Sequence, residues 1–254
     1  MTRLLILGGT AEAAGLAATC VARPGLRVIT SLAGRTRMPH LPPGEVRIGG
    51  FGGPAGLAEY LRAQAIDRLI DATHPFATQI GAHAAAACTE CGVPRLRLLR
   101  PPWQPVAGDH WIDVADAEDA VRHIPELGRR VFVTLGQSDL AAFAGRDDLW
   151  LLVRTIEPQA QSTLANALWI TGRGPFRVDD ELALMRAHEI DVLLTKASGG
   201  QATYAKIAAA RELGLPVLMI RRPAPPPGPV VPTVTDALAW LAQLDQPRRG
   251  RSAW

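Results

Sequence analysis

Short apolar runs alternate with longer helical segments along the N-terminal part of the chain. The runs LLILG, LRVITSL, DRLIDAT and VPRLRLL predict buried strands, and EVRIG predicts a weaker one. Between them lie helical segments such as AEAAGLAATCVA, PAGLAEYLRAQ and ATQIGAHAAAACTEC. Strands that alternate with helices of this length form parallel sheets with helices on both faces. The sequence therefore predicts an α/β fold of the Rossmann-like, or flavodoxin-like, kind.

The proline-rich stretch RPPWQPVAGD interrupts the alternation, and the pattern then restarts. RVFVTLGQSDLAAFA repeats the order of RLLILGGTAEAAGLA, and DVLLTKASGG…ELGLPVLMI repeats DRLIDATHPF…ECGVPRLRL. Any two α/β units look alike, but the shared initial Asp and the shared Gly-x-Pro favour an internal duplication. We predict two parallel-sheet domains facing a cleft, over residues 1–104 and 105–245, and a loose tail over 246–254. Within the second domain, RRPAPPPGPVVP is expected to be a stiff connector and DALAWLAQL a last helix.

The charge pattern favours a small acidic ligand over a polymer. The net charge is +3 at pH 7 with a pI of about 9.0, and arginines carry nearly all the positive charge. The basic residues are scattered, so no nucleic-acid partner is expected. No apolar run approaches the roughly 20 residues of a membrane helix, and glycines interrupt the first run too early for a secretion signal. We expect a cytoplasmic protein without a membrane partner, for which a monomer is plausible.

The three cysteines fit a reducing compartment. Cys88 and Cys91 form a single C-x-x-C. Because no second ligand pair exists, we predict a pair of surface thiols and no metal site.

The first strand runs directly into Gly8, Gly9, Thr10, Ala11 and Glu12. Two glycines allow a tight turn and a close approach of the backbone to a ligand. The helix that follows points free N–H groups and its positive dipole end at this turn, which favours an anion such as phosphate. The motif lacks the third glycine of G-x-G-x-x-G, so a simple tight turn is the alternative.

The second strand indicates which dinucleotide would bind. An acidic residue at its end contacts a free ribose 2′-OH, whereas basic or small residues accommodate a 2′-phosphate. Here Ser31, Arg35 and Thr36 occupy this region and no acidic residue is present. The alternative is a solvated arginine loop. Together with the glycine turn, this pattern makes NADPH the leading cofactor.

The third predicted strand ends in DATHPFA. Ligands of open α/β sheets bind at the carboxyl ends of the strands, which places Thr73 and His74 at the expected site. Pro75 stiffens the turn, and Phe76 is suited to cover a flat ring. His74 is a candidate proton donor or substrate-orienting group, although a structural histidine is the alternative.

The second half has its own chemistry-bearing stretches, GRGPF and TKASGG. Ser198, Gly199 and Gly200 are expected to precede a helix and to form a second anion-binding turn. Lys196 is a candidate counter-charge for a substrate carboxylate, with a surface lysine as the alternative. Arg173 is a further candidate contact for a carboxylate.

In combination, LILGGTAEA, DATHPFA, RGPF, KASGG and LGLPVLMIRRP resemble the precorrin-6A reductase family of cobalamin biosynthesis, over roughly residues 3–223. The resemblance implies reduction of one double bond of the precorrin-6A macrocycle by NADPH, giving precorrin-6B. It also implies that NADPH binds the N-terminal half and that the tetrapyrrole lies in the interdomain cleft. It needs neither a flavin nor a metal.

The resemblance extends to individual residues. Gly8, Gly9, Thr10 and Glu12 match the nucleotide turn of the family, Asp71 to Phe76 match its mid-chain motif, and Lys196, Ser198 and Gly199 match the motif of the second half. A macrocycle with many carboxylates suits an arginine-rich site. The candidate arginines are Arg95, Arg97, Arg154, Arg173, Arg177 and Arg221.

We expect direct hydride transfer, with His74 as the first candidate for the accompanying proton. Two alternatives stay open. One is an NADPH-dependent reductase of another conjugated substrate. The other is an NADPH-binding redox sensor without turnover.

Overall fold

The computed structural model describes residues 1–34, 41–158 and 164–245. The strands are β1 (Thr2–Leu7), β2 (Leu26–Leu32), β3 (Glu45–Ile48), β4 (Arg68–Asp71), β5 (Arg95–Leu98), β6 (His110–Val114), β7 (Arg130–Val133), β8 (Trp150–Thr155), β9 (Ala167–Thr171), β10 (Val192–Lys196), β11 (Pro216–Ile220) and β12 (Val230–Val231). The helices are α1 (Ala11–Val21), α2 (Gly53–Ala63), α3 (Thr78–Cys91), α4 (Ala117–Leu127), α5 (Val178–Ala187), α6 (Ala205–Glu212) and α7 (Val234–Asp245). Two 3-10 helices cover Gln137–Phe143 and Gln201–Thr203.

The first structural unit is a parallel sheet with the strand order β3-β2-β1-β4-β5-β12. Alternate residues of a strand point to opposite faces, so each apolar strand serves two helix layers. Leu4 and Ile6 pack in one core with α1 and α7, whereas Leu5 and Leu7 pack in another with α2 and α3. This three-layer arrangement confirms the predicted α/β class for the first unit.

The second unit repeats the design, with the parallel order β9-β8-β7-β10-β11-β6. Phe132, Leu152 and Met219 of the sheet pack with residues of α5 and α6. Helix α4 buries Ala120 and Ile124. Read by position, both sheets have the Rossmann order 3-2-1-4-5-6.

The sixth strand of each sheet comes from the other half of the chain. After β5 the chain enters β6, which pairs with β11, and after β11 it enters β12, which pairs with β5. The units therefore consist of residues 102–222 and of residues 1–101 joined by the described residues from 223 onward. This differs from the predicted second domain at 105–245. The physical reason is that Ala237 and Leu241 of α7 complete the core that also contains α1.

Equivalent residues of the two halves make equivalent bonds, which supports the duplication. Asp67 Oδ2 accepts a hydrogen bond from Arg3 N at 2.7 Å, and Asp191 Oδ2 accepts one from Arg130 N at 2.8 Å. Gly92 and Gly214 follow α3 and α6 with φ of 66° and 67°. These are the initial Asp and the Gly-x-Pro glycine of the repeated sequence pattern.

The predicted surface thiol pair is wrong for Cys88. This thiol is 3% exposed against α2, and burial raises its pKa to about 12. Cys91 is half-buried, and its Sγ lies 3.5 Å from the carbonyl oxygen of Ala58. Within the described ranges, no helix is long and apolar enough to cross a membrane.

Candidate functional site

The glycine turn lies between β1 and α1, beside the point where the strand order of the first sheet reverses. Gly9 has φ of 106°, a left-handed conformation that favours glycine. A side chain at Gly8 would place its Cβ 3.0 Å from Thr30 Cγ2. Thr10 is the N-cap of α1: its Oγ1 accepts a hydrogen bond from Ala13 N at 3.1 Å and donates one to Ala72 O at 2.7 Å. The first turn of α1 is thus fixed against the end of β4.

Glu12 is the acidic residue of this first turn, where a negative charge would oppose a bound phosphate. Its Oε2 lies 2.8 Å from Arg100 Nη1, and Arg100 follows β5. The arginine therefore brings a positive charge to the start of α1. The sequence reasoning did not find Arg100, because it lies 88 residues from Glu12.

Ser31, the next predicted cofactor residue, is a buried residue of β2. Its carbonyl oxygen accepts a hydrogen bond from Gly8 N at 2.9 Å, which ties β2 to the glycine turn. Arg47 of β3 places Nη1 3.5 Å from Ser31 Oγ and stacks its guanidinium 3.9 Å from the ring centre of Phe51. Arg47 is a second basic residue that the sequence reasoning missed. Arg35 and Thr36 lie outside the described residues.

Asp71, at the end of β4, organises the loop that follows. It is fully buried, and its Oδ1 accepts hydrogen bonds from Thr73 N at 3.1 Å and Thr73 Oγ1 at 2.8 Å. Arg97 of β5, 4% exposed, forms an ion pair with Asp71 and donates to Thr73 Oγ1 at 2.8 Å. Its Nη2 also donates to the carbonyl oxygens of Thr73 and His74, both at 3.2 Å. Thr73, predicted to contact a cofactor, uses its hydroxyl in this internal network.

His74 is exposed at the end of this network, whereas Pro75 is buried. The Nδ1 atom of His74 accepts a hydrogen bond from Phe76 N at 3.3 Å, and the two rings are 5.9 Å apart. A nitrogen that accepts a hydrogen bond carries no proton, so in the neutral ring the proton is on Nε2. Within the first unit, Pro75 also lines a shallow pocket together with Ala77, Thr78, Gly81, Arg97, Leu99 and residues 223–226.

In the second unit, Lys196 occupies the last position of β10, where the strand order of that sheet reverses. Its Nζ lies 2.5 Å from Asp139 Oδ2, in the 3-10 helix after β7. Asp139 holds the same place in the repeat as Glu12. Each unit therefore pairs an acidic residue after its central strand with a basic residue.

The glycines after β10 do not lead directly into a helix as predicted. Gly199 has φ of 73°, and a 3-10 helix separates Gly200 from α6, which begins at Ala205. Arg222 holds the loop, because its Nε donates to Ala197 O at 3.2 Å and its Nη2 donates to Ser198 O at 3.1 Å. The predicted anion site at Ser198–Gly200 is therefore a loop rather than a helix N-terminus.

The predicted arginines differ in exposure. Arg95, Arg97 and Arg154 are largely buried in internal bonds, whereas Arg173, Arg177 and Arg221 are exposed. Arg154 pairs with the buried Glu181 at 2.6 Å and lies 4.2 Å from the ring centre of Phe176 in the GRGPF stretch.

Lys206 is buried in the same region, with its Nζ 5.6 Å from the ring centre of Trp103. Burial lowers its pKa to about 8, the charge of Glu181 opposes this shift and that of Arg154 adds to it.

A family model described as precorrin-6x reductase CbiJ/CobK matches residues 3–242 of the chain. The chain belongs to the precorrin-6A reductase family. A precorrin-6A reductase of Rhodococcus erythropolis is 52% identical over 245 residues, covering 96% of this chain and 99% of that protein. One of Mycobacterium tuberculosis is 48% identical over 247 residues, with coverages of 96% and 99%.

A solved structure of the family, "CobK precorrin-6A reductase", has a TM-score of 0.91 and 42% sequence identity. It covers 98% of this chain, and this chain covers all of it. The family of oxidoreductases and its fold, both expected from the sequence, are confirmed.

Proposed function

We propose that this member of the precorrin-6A reductase family uses NADPH to reduce precorrin-6A to precorrin-6B in cobalamin biosynthesis. The substrate follows from the names of its relatives. The observation that carries the cofactor is the turn at Gly8–Thr10, where a left-handed glycine precedes the N-terminus of α1. This combination suits a pyrophosphate.

The residues around the turn fit a phosphorylated dinucleotide. Arg100 offsets the charge of Glu12 beside the proposed pyrophosphate site. Arg47 adds a positive charge next to Ser31, on the side of the sheet where the adenosine ribose would lie. No acidic residue occurs between Leu26 and Gly44, and Arg35 and Thr36 stay candidates for the 2′-phosphate.

When bound, NADPH supplies the hydride for the conjugated macrocycle. The protein holds the reactants and places charge and protons. His74 is proposed to deliver the matching proton from Nε2, since the bond from Phe76 N occupies Nδ1. Phe76 and Pro75 limit the positions that this imidazole adopts.

The carboxylates of the substrate are assigned to the second unit. Lys196 and the exposed Arg173 supply positive charge, and the backbone of Ser198, Gly199 and Gly200 supplies hydrogen-bond donors. Asp139 keeps the ammonium group of Lys196 in place until an anionic group competes for it.

The test is a titration of the purified protein with NADPH and with NADH, followed by turnover of precorrin-6A. Arg35→Ala is compared with Arg62→Ala, an exposed arginine on α2 that pairs with Glu90. We expect a strong NADPH preference that Arg35→Ala weakens and Arg62→Ala leaves intact.

Each other outcome counts against the proposal. Absence of binding to either dinucleotide makes the glycine turn a simple turn. Tight NADPH binding without oxidation in the presence of precorrin-6A identifies a sensor, or a reductase of another substrate.

A further inference from the structure

The loop after β4 and the loop after β10 are each held by one arginine of the neighbouring strand region. In the first unit, Arg97 donates to the carbonyl oxygens of Thr73 and His74, both at 3.2 Å. In the second unit, Arg222 donates to the carbonyl oxygens of Ala197 and Ser198, at 3.2 and 3.1 Å. Each guanidinium thus binds two successive carbonyl groups.

These loops occupy the same place in the duplicated halves. Both follow the fourth strand of their sheet, and β4 and β10 are preceded by the equivalent Asp67 and Asp191. Their sequences have diverged into THPF and ASGG, but the contact from an arginine to two carbonyl groups is present in both. This points to a requirement on the backbone rather than on particular side chains.

The contacts determine where peptide N–H groups point. A trans peptide holds its C=O and N–H on opposite sides, so a fixed carbonyl fixes the next N–H. Binding of the Thr73 carbonyl directs the N–H of His74 away from Arg97. Binding of the Ser198 carbonyl directs the N–H of Gly199 away from Arg222.

The network in the first unit is not explained by stability alone. Asp71 Oδ2 and Arg97 Nε are buried and have no hydrogen-bond partner among the described residues. Buried ion pairs contribute little net stability, because desolvation offsets their attraction. The geometry that Arg97 imposes on the loop is the better reason for its presence.

We propose that Arg97 and Arg222 are equivalent positioning residues, which set the backbone of the 73–74 loop for NADPH and of the 197–198 loop for the carboxylates of the substrate. This division rests on the proposed function, which assigns the cofactor to the first unit and the carboxylates to the second. Neither arginine is required to touch a ligand.

The experiment compares Arg97→Lys and Arg222→Lys with Arg68→Lys. Lysine keeps the positive charge but lacks the planar fork that spans two carbonyls. Arg68 is the control because it is also buried, lies on β4 and donates to Leu241 O, far along the chain from either loop. The measurements are the Kd for NADPH, the KM and kcat for precorrin-6A, and the Tm of each variant.

Arg97→Lys is expected to raise the Kd for NADPH about tenfold while the KM for precorrin-6A stays within about twofold. Arg222→Lys is expected to do the reverse, and Arg68→Lys to change both by less than about twofold. Thr73→Val provides a milder second variant, because it removes the hydroxyl between Asp71 and Arg97 but leaves the ion pair. It should also raise the Kd for NADPH and not the KM.

The proposal is overturned if the two arginine variants change neither constant, or change both by the same factor in step with the Tm. A wild-type protein that binds no NADPH overturns the proposed function itself, and this is seen before any variant is measured.

Discussion

Arg100 and Glu12 form an ion pair of 2.8 Å that joins the end of β5 to the first turn of α1. The pair lies beside the glycine turn, where the dipole of α1 favours a negative charge. Glu12 already benefits from that dipole, and Arg100 prevents its carboxylate from repelling a phosphate group.

Replacing Arg100 with Gln should therefore weaken NADPH binding about tenfold, since Glu12 would then face the phosphates without a counter-charge. Isothermal titration at low and high salt measures the effect, and the loss should shrink at high salt. The double variant Arg100→Gln/Glu12→Gln should recover part of the affinity. An unchanged Kd in Arg100→Gln would separate this pair from the phosphate site.

Gly9→Ala should lower both stability and cofactor affinity. The cost comes from φ of 106° and not from crowding, since no atom lies within 4 Å of the added Cβ. We expect a loss of about 1–2 kcal/mol in the free energy of unfolding. Gly15→Ala is the matched control: Gly15 is exposed within α1, and alanine should stabilise that helix by roughly 0.5–1 kcal/mol. Urea denaturation of both variants measures the difference, and equal shifts of the same sign would contradict the argument.

His74→Ala should reduce kcat about 100-fold if this residue delivers the proton. The Kd for NADPH should change little, because the backbone of the loop is held by Arg97 and not by the imidazole. Steady-state turnover and a separate NADPH titration distinguish the two effects. His110→Ala, at an exposed position of β6, serves as the control. Full turnover in His74→Ala would remove His74 from the proton transfer.

Lys206→Met should stabilise the protein at neutral pH. The folded-state pKa of about 8 lies below the model value of 10.5, so at pH 7 folding keeps a proton on a buried ammonium group. The variant should gain about 1–3 kcal/mol in the free energy of unfolding at pH 7. Between pH 8 and 10.5 the unfolded lysine still binds its proton and the folded one does not, so the wild type becomes relatively more stable. Denaturation at pH 7 and pH 10 checks this, and a gain that does not shrink with pH would refute it.

The local pattern was sufficient to predict most strands and helices of the first unit. The runs of Leu, Ile and Val near Leu4 and Leu69 are buried on both faces, which is the signature of a central parallel strand. The glycine turn was predictable for a similar reason, since Gly9 occupies a conformation that other residues avoid. These features depend on neighbours along the chain.

Features that depend on distant residues were not predictable. The boundary at 245 was missed because β12 has only two residues, and its pairing with β5 joins segments more than a hundred residues apart. The same limit hid the roles of Arg100 and Arg222, whose partners are set by sheet order and side-chain conformation. Thr73 and His74 were placed correctly at a strand end, but nothing local indicated that Arg97 holds their carbonyl groups.

The exchange of sixth strands has a consequence for synthesis on the ribosome. Residues 102–222 contain every strand of their own sheet, so this unit has its complete set of strands once residue 222 has emerged. The sheet with the glycine turn has to wait for β12 and α7, which are translated last. The first segment to be made is thus the last to be completed, and a chain truncated before residue 230 lacks an edge strand in the unit proposed to bind NADPH.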